Sequence, residues 1–451
     1  MDRIREKGTV VLNRLADNPA ESIAYSRFLN NESVSISELR EESVARCNQV
    51  CEGRHVLCIQ DTTEMNFQSH AGKLKDSDPD LGPVGNNSDI GFFLHPSVVV
   101  DSQREFPLGF GDIYLWNRSF DKLDKQERDY KSQSIEEKES YRWIESSQRC
   151  QNHLKAADLV TIVADRESDI YEEFVMVPDE KTHLLIRSKH DRCLSDKKEK
   201  LFSHLSSQPV VGSYSFSLKG DRRRNRKGRE ALMEVRFTKV KIKRPQNLAN
   251  HSTLPEYVEL YGIEVREHPS TIPAGEKGIL WRLLTTHQVE TLSEACQIIR
   301  WYCLRWFIEQ LFRTIKSDGL DIQASQLESG DALKKLSIMA LQVALQIMQL
   351  VQERDGKSGV EASVVFKEEE VECLEKINLQ KEGRTPKQKN PYPKRSLAWA
   401  AWVIARLGGW KGYSSQYYPG PITMKRGLQA FEQILIGWDL AQMLLENHQG
   451  P

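Results

Sequence analysis

Two short apolar runs, each closed by an acid, constrain this chain more than any other feature. RHVLCIQD spans 54–61 and DLVTIVAD spans 158–165. Apolar runs of this length between polar residues are the mark of buried strands. The second is followed at once by RESDIYEEFV, a helical pattern. GFFLHPSVVVD (91–101) and PLGFGDIYLWNR (107–118) read as further strands, and 133–156 as a charged helix anchored by Tyr141, Trp143 and Ile144. Strands mixed with helices place the middle of the chain in the α/β class.

The flanks read differently. Residues 1–52 are helical in pattern, and Ser35 with Glu38 has the spacing of a capping box. Between 184 and 290, runs such as VGSYSFSL, ALMEVRFTKVKI, EYVELYGIEV and GILWRLLTT alternate or are β-branched, which predicts a mostly antiparallel insertion. Residues 379–396 hold three prolines, six Lys/Arg and one acid, a solvated linker or loop. SLAWAAWVIARLGG then reads as a helix ended by Gly408–Gly409, and 427–445 as a last amphipathic helix. The domains expected are 1–52, 53–375 with the insertion at 184–290, and 376–451.

A chain of 451 residues exceeds one compact core. A net charge of −1 gives no global sign of a nucleic-acid partner, so local clustering matters more. Eight scattered cysteines suit a reducing compartment. Cys47, Cys51, His55 and Cys58 have residue types that suit zinc, but their spacing lacks paired knuckles. The charged N-terminus has no signal-peptide h-region, and LSIMALQVALQIMQLV (336–351) is too short to span a bilayer. A cytoplasmic protein with no membrane partner is expected.

The segment YCLRWFIEQLFRTIK (302–316) raises the question of chemistry. At about 100° per residue, with Tyr302 at zero, Arg305 falls near ~−60°, Glu309 near ~−20° and Lys316 near ~−40°. All four share one stripe of a helix that is otherwise apolar almost all round. The bland reading is an Arg–Glu pair on an ordinary surface. The sharper one is a seam lining a site for anionic chemistry.

Asp61 and Asp165 each end a buried strand, and Glu309 lies on the seam. Alone, an acid after a strand is most often a cap or turn residue. Together, two carboxylates on neighbouring strands and a third from a packed helix can hold two divalent cations about 4 Å apart. Mg²⁺ suits such oxygen ligands and keeps phosphate oxygens in its shell. Arg305 and Lys316 would meet phosphates, Arg305 through its bidentate fork, and Tyr302 would position one through its hydroxyl.

The set Tyr302-x2-Arg305-x3-Glu309-x6-Lys316 resembles the YREK signature of insertion-sequence-four-type (Tn-five-like) bacterial DDE transposases. QDTTEMNF (60–67), ADRESDIY (164–171) and IRSKH (186–190) look like the surroundings of that family's first two aspartates. The resemblance implies an RNase H-like catalytic core with a large antiparallel β insertion and flanking helical domains. It implies the triad Asp61, Asp165 and Glu309 and two Mg²⁺ ions, with Mn²⁺ able to substitute. The implied activity is cut-and-paste: hydrolysis at element ends, hairpin formation and strand transfer. Implied partners are double-stranded DNA, as terminal repeats and target, and a second copy in a synaptic complex. Trp281 matches the family's base-stacking tryptophan, although its residue pattern alone fits a core strand. Trp306 is either a second wall of that site or core.

KGDRRRNRKGR (219–229), including Arg222, Arg223, Arg224, Arg226 and Lys227, is a solvated hairpin tip by charge alone and a phosphate-contacting arm beside such a core. Arg187, Lys189 and His190 are weaker DNA-contact candidates. The helices at the N-terminus begin about halfway into the family's end-binding segment. An N-truncated regulator that binds or dimerises without productive cleavage is therefore the alternative expectation.

Overall fold

The central strands form where both faces of the chain are withdrawn from water, and the outer ones, such as Gly212–Leu218, where apolar and polar residues alternate. In the computed structural model they are, in chain order, β1 (His55–Gln60), β2 (Thr63–Asn66), β3 (Gly82–Val84), β4 (Asp89–Asp101), β5 (Phe106–Trp116), β6 (Leu159–Ala164), β7 (Thr182–Arg187), β8 (Gly212–Leu218), β9 (Arg229–Lys243), β10 (Tyr257–Glu267) and β11 (Leu280–Thr285). All residues are described except 76, 86, 121–132, 219, 221–226, 247, 249–252, 317–318, 414–416 and 449–451.

β1, β6 and β7 lie side by side and parallel. Val56, Leu57, Cys58 and Ile59 are completely buried, as the unbroken apolar run requires. β4 flanks β1 antiparallel, and β5 lies beyond it. β2 prolongs β1 in one register along the same edge of β4: Gln60 faces Ser97, and Thr63 faces Leu94. Asp61 and Thr62 fill the gap between the two strands.

The insertion does not form a sheet of its own. β11 pairs antiparallel with β7, and β10, β9 and β8 follow, so that the whole is one 11-stranded sheet. The expected boundary at 184 cuts through β7, which belongs to the parallel set. The reason is the open edge of β7, whose unpaired N–H and C=O groups must be satisfied; β11 supplies the partners.

The helices are α1 (Asp2–Lys7), α2 (Leu12–Leu15), α3 (Pro19–Leu29), α4 (Ile36–Val50), α5 (Tyr141–His153), α6 (Tyr171–Met176), α7 (Leu201–Ser207), α8 (Leu292–Cys303), α9 (Trp306–Ile315), α10 (Gly330–Glu353), α11 (Glu368–Lys381), α12 (Leu397–Leu407) and α13 (Pro421–His448). The capping box of α4 is present: Ser35 Oγ accepts from the Glu38 amide at 3.1 Å and Glu38 accepts from the Ser35 amide at 3.0 Å. α13 begins at Pro421, six residues before the periodicity announces it, because proline suits a first helical turn. By length and composition α10 could cross a membrane, being longer than the apolar run at 336–351. Yet 78% of its most apolar window is buried inside the protein, so it acts as a core helix.

Segment 302–316 is not one helix. α8 ends at Cys303, and the amides of Leu304 and Arg305 bond back to the carbonyls of Trp301 and Tyr302, both at 3.1 Å. This tight i→i+3 turn starts α9. It changes the register of the seam and leaves Arg305 at the joint between two helices.

Candidate active site

Asp61 and Asp165 meet through strand register. His55 pairs with Leu159 and Ile59 with Val163 across β1 and β6. Two steps further along each strand stand Asp61 and Asp165. Asp165 leaves the strand as a cap, its Oδ1 accepting from the Glu167 amide at 2.8 Å. Asp61 Oδ1 accepts from the Thr62 amide at 2.8 Å. The cap reading thus holds for Asp165, whereas Asp61 sits in the link between β1 and β2 and caps no helix.

α9 brings Glu309 to the same place. Arg305 links the carboxylates: its Nη1 donates to Asp61 Oδ2 at 3.0 Å, and its Nη2 pairs with Glu309. The ordinary i,i+4 ion pair is present, with one arm reaching across to the sheet. Burial, then the negative charges of Asp165 and Glu309, push the Asp61 carboxyl up to about 6, against the pull of Arg305 and the Thr62 amide.

The rest of the seam follows the rim of the sheet. Lys316 Nζ donates to Thr63 Oγ1 at 2.7 Å, on the far side of Asp61. Burial lowers the Lys316 ammonium, and Glu64 opposes the shift. Tyr302 is buried, which raises its phenol, while Arg305 and a hydrogen-bonded Arg187 lower it. Arg187 ends β7 beside Asp165, because Ala164 pairs with Ile186. Trp281 is half-buried, its ring 6.1 Å from Tyr302 and 5.9 Å from Phe216, both edge-on. It therefore packs on the core and borders the site at once. Trp306 is 60% exposed and is not core.

Other candidates stand apart or are already paired. Arg222, Arg223, Arg224 and Arg226 lie outside the described residues, and Lys227 is exposed. Arg229, the last residue of that run, pairs with Glu267 at 3.1 Å and Glu276 at 2.7 Å. Lys239 and Lys241 both pair with Glu259. The backbone amides of Lys189 and His190 donate to Asp169 at 2.7 and 2.8 Å, and both side chains are exposed.

Sequence reasoning missed three supporting residues. Asp169 is buried and also holds Arg192, with Nε at 3.0 Å and Nη2 at 2.7 Å from its Oδ1. Its place within DRESDIY was the available signal. Arg142, on α5, donates to Thr62 Oγ1 at 3.1 Å and to Glu167 at 2.7 Å. His95, on β4, is fully buried with Nδ1 2.9 Å from the same hydroxyl. No local pattern marks either one, since both contacts join segments distant in sequence.

A divalent cation is the implied cofactor, and the donor set fits one in kind: three carboxylates, hard oxygen ligands, two of which raise the third by repulsion that a cation would relieve. Among the described residues no group of three His, Cys, Asp or Glu side chains is drawn together in a metal-holding arrangement. Arg305 stands between Asp61 and Glu309. The same statement covers Cys47, Cys51 and Cys58, which are buried free thiols.

Residues 145–345 match the family model described as the transposase DDE domain. The matched segment takes in Asp165, Trp281 and the whole seam from Tyr302 to Lys316, and begins after Asp61. A solved structure, the cryo-EM structure of a piggyBac transposase synaptic complex with hairpin DNA, is similar at 9% identity with a TM-score of 0.33. The similarity covers 89% of this chain and 55% of that chain, so this chain spans about half the length of that protein.

Proposed function

We propose, for a chain that residues 145–345 mark as a DDE transposase, that it excises a DNA element by cutting at its terminal repeats and joins it to target DNA. The observation that carries this is that Asp61 lies beside Asp165 and is joined through Arg305 to Glu309, three acids from distant parts of the chain. The two aspartates each stand one residue beyond the ends of neighbouring strands. The strand order β5-β4-β1-β6-β7 supports the RNase H-like reading of the core.

Asp61, Asp165 and Glu309 would hold two Mg²⁺ ions, or Mn²⁺ in their place, which supply charge neutralisation and activation of water or a 3′-hydroxyl at a phosphodiester. The chain's own groups orient the DNA. Arg305 offers a planar fork and Lys316 a point charge to the backbone phosphates flanking the cut. Tyr302, held by Arg187, offers a hydroxyl to the next phosphate. Trp281 and exposed Trp306 provide ring faces for a base taken out of the stack, which hairpin formation needs. Lys189 and Lys227, both exposed, add cations for the DNA backbone. α13 supports a homodimer, since Ile434, Ile436, Leu440, Met443 and Leu444 are all 40% exposed or more.

The test is a cleavage assay on DNA carrying the terminal repeats that flank the element, with Mg²⁺ or Mn²⁺, beside Glu309→Ala. Metal-dependent nicks and hairpins that the variant lacks are expected. Equal cleavage by both proteins would overturn the triad, and DNA binding without any cleavage would favour a regulator.

A further inference from the structure

Below the carboxylates lies an acid that the proposed reaction leaves unused. Glu173, on α6, is completely buried. Its Oε2 accepts from the Ser168 hydroxyl at 2.6 Å. Ser168 belongs to the turn after Asp165, and its amide bonds the Asp165 carbonyl at 3.3 Å. Glu173 Oε1 lies 3.4 Å from Ser147 Oγ on α5. Ser147 in turn accepts from Gln60 Nε2 at 3.2 Å, and Gln60 directly precedes Asp61.

Proton counting decides what Glu173 is. A serine hydroxyl has one proton and two lone pairs. Ser147 donates its proton to the Trp143 carbonyl at 2.8 Å, the better of its two candidate acceptors. With that proton used, Ser147 faces Glu173 as an acceptor, and a protonated Oε1 completes the 3.4 Å contact. Facing the carboxyl are Ser147 from α5, itself bonded by Gln60 of β1, and Ser168 and Asp169 from the turn. Of these only Asp169 is charged, and it is negative and paired with Arg192. Burial first, with Asp169 adding to it, raises Glu173 to about 8 against the pull of the Ser168 and Ser147 hydroxyls.

We infer that Glu173 is a positioning residue that works as a neutral acid, its carboxyl proton tying the β1 end that carries Asp61 to the turn that carries Asp165. The inference rests on the proposed catalytic roles of those two aspartates. An ionised Glu173 would face Ser147 with two lone-pair-bearing oxygens and no proton between them. The contact would open, and the two strand ends would lose their shared tie.

The experiment compares the full-length wild type, Glu173→Gln and Glu173→Ala in cleavage across pH, alongside the ¹³C side-chain carboxyl resonance lost in Glu173→Gln. Glutamine keeps a donor and an acceptor and carries no charge. Glu173→Gln should cleave at near wild-type rate at pH 7, and should lack the loss of rate that wild type suffers as pH passes about 8. Glu173→Ala should fall about tenfold or more, the scale expected when reacting groups are misplaced by a fraction of an ångström. The resonance should titrate near the same pH. An ionised carboxyl at pH 7, or a Glu173→Gln profile identical to wild type above pH 8, would overturn the inference. If wild type and Glu309→Ala cleave alike, the catalytic reading fails instead, and the resonance alone still decides the proton. If Glu173→Ala does not fold, the glutamine variant carries the test.

Discussion

Asp61 and Asp165 each stand one residue beyond the ends of two adjacent parallel strands, in matching register, although 103 residues of sequence separate them. β1 and β6 run from a common baseline at His55 and Leu159, so both acids emerge together where the strands end. The site is set by backbone register, the most rigid reference a fold provides. Asp61→Asn should therefore abolish cleavage, by about 10³-fold or more, while the fold stays intact. The checks are the cleavage rate and the melting temperature without metal. A fall in melting temperature as large as a core deletion causes would mean that Asp61 is structural.

Arg305 holds two carboxylates at once and cannot be replaced by another cation. A lysine presents one point charge and cannot span Asp61 and Glu309 as a fork does. Arg305→Lys and Arg305→Ala should both weaken binding of cut DNA ends, but only Arg305→Ala, which removes the charge, should lower the slope of log affinity against log salt by about 1. Filter binding across a salt series measures this. An unchanged slope in Arg305→Ala would confine Arg305 to its ion pairs within the protein.

The two tryptophans should separate by stability. Trp306 is 60% exposed, so Trp306→Ala should leave the melting temperature unchanged and reduce hairpin yield. Trp281 packs on Phe216 and Tyr302, so Trp281→Ala should cost about 2 kcal/mol of stability as well. Denaturant unfolding and hairpin assays on the two variants would decide. Normal hairpin yield in both would remove them from the base-holding role.

Asp169 is the anchor of the loop after β7. It accepts from two backbone amides and from Arg192, and its side chain has no exposure. Asp169→Ala leaves a buried guanidinium without its partner and should cost about 3–5 kcal/mol. Urea unfolding of the variant tests this, and a loss below about 1 kcal/mol would contradict the buried geometry.

Three histidines at the opposite end of the strands should make the fold acid-sensitive. His183 and His287 stack at 4.0 Å, and Thr161 Oγ1 is 2.8 Å from His55 Nε2 and 2.7 Å from His287 Nε2. Burial chiefly, then neighbouring imidazoles, lowers His55 to about 4 and His287 to about 3, below the ordinary value of 6.5. The unfolded chain takes up these protons first as pH falls. Stability is thus fully present above about 6.5 and is lost progressively toward pH 4 and below. His287→Phe should remove on the order of 2 kcal/mol of that loss. Melting curves from pH 7 to 4 give the slope, and an unchanged slope would deny the cluster any role.

Much of the site was legible because its parts are local. Strand ends with acids, the 302–316 seam and the DRESDIY turn are each contained within about 15 residues, and their spacing follows from strand and helix periods. The break at Leu304–Arg305 was not legible, since helix formers fill that stretch and only the tertiary path forces the turn. Nor were Arg142, His95 and the bonds of Glu173, whose partners lie on other elements of the sheet and its helices. The insertion was readable as strands, but its merger with the core sheet through β7 and β11 was not.

By itself the sequence determined which segments become strands and helices, because periodicity and apolar content act over a few residues. It also determined the inventory of carboxylates, cations and aromatic rings available for chemistry. Only the tertiary structure decided which of them meet. The matching register of Asp61 and Asp165, the reach of Arg305 from Glu309 to the sheet and the proton of Glu173 all depend on pairing between distant segments. That pairing is chosen by burial of the whole core and by the satisfaction of every backbone hydrogen bond, and no short stretch of sequence contains either.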